Sequence, residues 1–210
     1  VRLTPCGIRS LIRSPYTFLT QSDPKIALSG HTAEAEEMKK AKIVLLGEPV
    51  LREKSKEVSV FHKKLHDIVD TMKFTLQERG DGAAVAANQI AVAKRIVVID
   101  FLGEYLEMIN PEITASSGIQ TDYEGCLSVP GFSGIVTRAE TVTVTYKNRF
   151  GSETTIERSG SMARCIQHEL DHLDGILYID RLDEDRVYDN ETETPVLLSD
   201  LIAHSDQYFS

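Results

Sequence analysis

The segment His168-Glu169-Leu170-Asp171-His172 constrains this chain more than any other feature. On an α-helix, residues four apart stand on one face, so the two imidazoles project side by side. Such a pair can grip one metal ion, and the acid after the first His can reach a water on it. The flanks suit a helix. Met162, Cys165, Ile166 and Leu170 recur at helical spacing within residues 161–173, and no Pro interrupts them.

Two imidazoles do not complete a catalytic centre, which needs a third protein ligand and a fourth position for water. Downstream of His172 there are many acids but no third His at a short metal-ligand spacing. Upstream, Glu124-Gly125-Cys126-Leu127-Ser128 places Cys126 42 residues before His168. A thiolate beside two imidazoles is a strong ligand for Zn²⁺ or Fe²⁺. From the residues alone, a downstream Glu and Cys126 both stay open as the third ligand.

Three segments, in order, carry a resemblance. They are Gly82-Ala83-Ala84-Val85-Ala86-Ala87-Asn88-Gln89, Glu124-Gly125-Cys126-Leu127-Ser128 and Gln167-His168-Glu169-Leu170-Asp171-His172. With 44–52 and 173–181, they make residues 42–182 resemble peptide deformylase. The resemblance implies an α+β fold, with mixed or antiparallel sheets wrapped around a central helix bearing the His-Glu-x-x-His motif. It implies Cys126, His168 and His172 as ligands of one Fe²⁺, with Zn²⁺, Co²⁺ or Ni²⁺ as substitutes. Glu169 would be the general acid/base, and the Leu127 N–H and the Gln89 amide the oxyanion donors. Gly82, Ala83, Ala84, Asp122, Gly125, Ser161 and Arg164 would face the substrate, an N-formylated nascent peptide. Glu124 and Arg138 would pair behind the metal strand.

The chain departs from the family at several positions. Ala83 and Ala84 stand where a larger aliphatic and a second Gly are usual, and Ser133 replaces a common basic residue. Asp122, Ser161 and Arg164 stand where the methionine pocket is normally aliphatic. Asp122 and Arg164 are therefore expected either to pair across that pocket or to turn to water, favouring a polar or acidic substrate side chain. Two rival readings follow: a metallopeptidase with a downstream ligand, and a paralogue with little deformylase activity.

Periodicity supports the α+β class independently. Phe61, Leu65, Ile68, Val69, Met72 and Leu76 predict a helix over residues 60–79 that stops at Gly80 and Gly82. Residues 90–158 read as strands, clearest at 95–101 and 141–146, with a turn at 148–151 before a strand at 154–157. Helix, then sheet, then helix is the order of an α+β chain. Residues 183–194 carry six acids and one Arg, and read as a solvated loop at the start of an acidic tail, 183–210. A short helix is expected over residues 197–202. His62 and His66 also stand four apart, but with two Lys between them they read as solvated helix residues.

Residues 1–41 read as an N-terminal extension, with Glu36 and Lys40 spaced for a helical pair. Its first 22 residues hold Arg2, Arg9 and Arg13 and no acid before Asp23, the composition of a transit-peptide remnant. That composition predicts a mitochondrial or other organellar address. A net charge of −9 disfavours nucleic acid as a partner, and no apolar run approaches a membrane span. Three Cys in 210 residues argue against a disulfide framework. A monomer or weak homodimer is expected.

Overall fold

The structure, a computed structural model, describes residues 40–205. The arginine-rich start and the Glu36–Lys40 pairing fall outside the described residues. Among the described residues, no helix is long and apolar enough to cross a membrane.

Among the described residues, two antiparallel sheets and three α-helices make an α+β fold. Helix α1 (Lys63–Arg79) buries Leu65, Val69, Met72 and Leu76, the stripe its periodicity predicts. It stops at Gly80, whose φ of 66° is the left-handed geometry glycine adopts without a Cβ clash. The first sheet contains β1 (Ala84–Ala86), β2 (Ile96–Phe101), β3 (Glu104–Ser117), β6 (Thr141–Lys147) and β7 (Glu153–Ser159), ordered β1-β2-β3-β6-β7. The second contains β4 (Gln120–Cys126), β5 (Val129–Arg138), β8 (Arg186–Asp189) and β9 (Pro195–Leu197) in that order.

The β-branched run in β2 is buried on both faces. Ile96 and Val98 join one hydrophobic cluster with α1, while Val97 and Ile99 join a second cluster with α2 (Gly160–Leu173). Full burial of such side chains contributes roughly 1.5–3 kcal/mol each. The long β3 is bulged between Ile109 and Glu112, where Pro111 has no N–H to donate.

The acidic tail differs from expectation. Residues 183–194 include β8 and lead into β9, and the two strands form a hairpin bonded to β5. Val187 is fully buried and Asp189 half-buried while the other acids of this run are exposed, so the charge run hid a short strand. The turn is held by Asp189 Oδ1, which accepts from the Glu191 and Thr192 N–H groups. Helix α3 (Leu198–Ala203) follows and buries Leu201. His66 also differs: it is half-buried, with Nε2 3.0 Å from the Arg149 carbonyl oxygen and its ring edge-on to Phe150.

Candidate metal centre

Helix α2 is buried on nearly all sides, because it packs on β1, β2, β6 and β7 and also reaches the second sheet through side chains. Its buried residues include His168, Glu169 and His172. Cys126 ends β4, where a register shift after Gly125 starts the tight turn to Val129. Gly175 closes the chain after the helix. A Cβ there would sit 2.5 Å from the Arg52 carbonyl oxygen, so only glycine permits this approach.

Strand end and helix bring the three ligand types together. The ligand atoms of Cys126, His168 and His172 all lie within 4.8 Å of one another. Cys126 Sγ is 3.2 Å from His172 Nε2. Ligands sharing one tetrahedral ion at bond lengths near 2.0–2.3 Å stand roughly 3.3–3.6 Å apart, so the Cys126–His172 separation suits one divalent metal and the donor set could hold it. The Ser128 N–H at 3.4 Å and Gln89 Nε2 at 3.5 Å both donate to the sulfur, as suits a thiolate. Among the described residues, no other His, Cys or acid joins this group. The third member of the group is Cys126 and not a described acid downstream of His172.

Glu124 stands behind His168. Its Oε2 is 2.9 Å from His168 Nδ1, which leaves Nε2 for the metal side. Arg138 grips the same carboxylate with Nε at 2.6 Å and Nη2 at 2.9 Å. Arg138 also reaches Asp171, which accepts from Arg181 in turn. Burial pushes the Glu124 carboxyl up, but bonds from Arg138 and His168 outweigh it and hold it well below the usual carboxylate range. Burial lowers His168, yet its bonds to Cys126 and Glu124 raise it well above an ordinary imidazole. The pull of thiolate and carboxylate that would hold a proton there equally suits a metal cation. His172 is pushed well below its ordinary value by burial and then by the charge of His168.

Glu169 has the opposite surroundings. Burial, helped by the nearby Glu124 charge, raises its carboxyl to about 7 against the opposing pull of His168 and Arg138. Its Oε2 is buried without a hydrogen-bond partner. It lines a cavity of about 10 Å³, room for one water, together with Gly82, Ala83, Ala84, Gln89, Cys126, Leu127 and His168. Gln89 accepts the Ala86 N–H on Oε1 and donates from Nε2 to Ser128 Oγ at 3.1 Å.

The remaining sequence-predicted residues divide. Gly125 is buried beside Cys126, and Ser161 is half-buried at the start of α2. Asp122 is exposed and bonds its own neighbour, the Tyr123 N–H. Arg164 neither pairs with Asp122 nor turns to water. Its side chain is 2% exposed and donates to Glu124 Oε1 at 2.8 Å, the Val136 carbonyl at 2.9 Å and the Gln120 carbonyl at 3.1 Å. A buried guanidinium needs an anion and full hydrogen bonding, and Glu124 is the buried acid within reach. Sequence reasoning also missed Asn88, whose Nδ2 donates to the His172 carbonyl at 2.6 Å, and Tyr178, stacked on His168 at 6.2 Å. Asn88 and Tyr178 lie within segments that carry the resemblance, and Arg164 left a signal of its own: it lies one turn before His168 on a buried face.

Fold and centre together define a metal-dependent hydrolase. The chain matches the polypeptide deformylase family profile over residues 40–187. A peptide deformylase of Pelotomaculum thermopropionicum is 45% identical over 140 residues, covering 67% of this chain and 90% of the relative. The crystal structure of a peptide deformylase from Legionella pneumophila superposes with a TM-score of 0.67 at 40% identity, covering 69% of this chain and 87% of that one. An Acinetobacter baumannii peptide deformylase with Met-Ala-Ser bound gives a TM-score of 0.65 at 33% identity, covering 69% and 99%. This chain belongs to the peptide deformylase family.

Proposed function

We propose that this chain hydrolyses the N-terminal formyl group of N-formylated peptides, releasing formate and a free amine. One observation carries the reading: a cysteine and two histidines converge beside a buried carboxylate that keeps an unpaired oxygen. Cys126, His168 and His172 hold the metal, and α2 is the helix around which the sheets organise the centre. The donor set suits Fe²⁺, Zn²⁺, Co²⁺ or Ni²⁺. When bound, the ion supplies a Lewis acid that acidifies water toward neutrality.

The chain's own groups do the rest. Glu169 takes the water proton at its unpaired Oε2 and later delivers a proton to the departing amine. A carboxyl raised to about 7 is well matched to both tasks near neutral pH. The Leu127 N–H and Gln89 Nε2 donate to the oxygen that gains charge as the formyl carbon is attacked. Gln89 Nε2 exchanges its bond to Ser128 Oγ for that oxygen. Gly82, Ala83, Ala84, Gly125 and Ser161 border the peptide, with Asp122 at its outer edge. Because Arg164 is committed to Glu124, the case for a polar pocket loses its cation, and formyl-Met is the expected substrate side chain. The arginine-rich start supports an organellar address, with the enzyme acting as a monomer or weak homodimer.

Formate release from formyl-Met-Ala-Ser by anaerobically prepared, Fe²⁺-loaded protein tests the proposal. Fully loaded protein that releases none overturns it. Faster release from formyl-Glu or formyl-Ser peptides would restore the polar pocket.

A further inference from the structure

We infer that Arg164 is a positioning residue for the metal centre, acting through Glu124 on His168. The inference rests on the metal-centre reading above. Arg164 stands on α2 one turn before His168 and reaches both β4, which carries Cys126, and β5. It is a strut between the helix that bears two ligands and the strand that bears the third.

Glu124 is saturated as a result. Oε1 accepts from Arg138 Nε and Arg164 Nη1, while Oε2 accepts from Arg138 Nη2 and the His168 Nδ1–H. These four bonds match the lone-pair capacity of a carboxylate. Arg138 grips one edge of the group with a two-bond fork and reaches α2 only indirectly, through Asp171. The bond from Arg164 comes from the helix of His168 itself, so carboxylate, imidazole and helix are tied into one closed loop. The imidazole is then fixed in tautomer and in ring orientation, with Nε2 facing Cys126 Sγ.

Folding alone does not ask for this residue. Arg138 already compensates Glu124, and an apolar side chain of similar volume often serves stability as well as a buried cation. Arg164 even leaves its own Nε without a partner. What an apolar side chain cannot supply is direction.

The test compares the parent protein with Arg164→Met and Arg164→Lys, all Zn²⁺-loaded or Co²⁺-loaded. The readouts are the rate of metal loss to a chelator, the visible spectrum of the Co²⁺ form, and the split between kcat and KM. Expected for Arg164→Met is about 10–100-fold faster metal loss. Its Co²⁺ bands should shift and kcat should fall with KM held, at a melting temperature close to the parent's. Arg164→Lys, with a point charge in place of a fork, should lie between. Metal loss within about twofold of the parent and an unchanged Co²⁺ spectrum would overturn the inference. If Arg164→Met does not fold, Arg164→Lys decides on the same criterion. Failure of the underlying reading is separate: the parent itself would then bind no stoichiometric metal, or Cys126→Ala would bind it unchanged.

Discussion

Glu124 and Glu169 are both buried carboxylates beside His168, yet they have opposite surroundings. Glu124 is 0% exposed and every lone pair is taken by two arginines and a histidine. Glu169 is 3% exposed, and one oxygen has no partner. The first is held as a permanent anion; the second is left able to exchange a proton. Hydrogen bonding to the charged form, and not burial, separates them.

The largest effect should come from the reactive member. Glu169→Gln should lower kcat/KM for formyl-Met peptides about 10²–10⁴-fold, with bound metal retained. Its melting temperature should equal or exceed the parent's, since an unsatisfied buried carboxylate is costly. Loss of stability with full activity would erase the contrast. Glu124→Gln should do the reverse first. It leaves Arg164 buried without its anion and Arg138 with Asp171 alone, and should cost about 3–5 kcal/mol in urea unfolding.

The pH dependence sharpens the comparison. Once protonated, Glu169 cannot take a proton from water, so on the proposed mechanism kcat/KM should fall up to tenfold per pH unit along an acid limb that lies at about 7 without metal. A bound dication favours the carboxylate and shifts that limb downward, but it should stay above the ordinary carboxylate range. Glu124 has a depressed pKa. Its contribution to stability is therefore complete above its ordinary value of 4.5 and is lost as pH falls toward the depressed value. Melting temperatures between pH 6 and 3 should drop in the parent and be flatter in Glu124→Gln. The smallest effect belongs to Arg181→Ala. Arg181 is 48% exposed at the outer end of the ion-pair chain, so its loss should cost below about 1 kcal/mol by thermal melt.

Local patterns made much of this legible. The four-residue spacing of His168 and His172 put them on one helix face, and α1 follows its apolar stripe to Gly80. Cys126 was a different matter, because no local rule joins a strand end to a helix 42 residues later. Only the wording of the surrounding motif selected it over a downstream acid. Arg164 was misplaced for the same reason. Its helix face is readable from sequence, whereas its partner on β4 is a tertiary contact. The β8–β9 hairpin was hidden because its strands are only four and three residues long, sit among exposed acids, and bury fully only Val187.

The two-faced β2 has a consequence for melting. Ile96 to Ile99 supply alternate side chains to both apolar clusters, so neither α1 nor α2 can detach without exposing a strand the other still covers. Heat and denaturant should therefore dismantle both halves in a single concerted step, and the metal site should disappear with the rest.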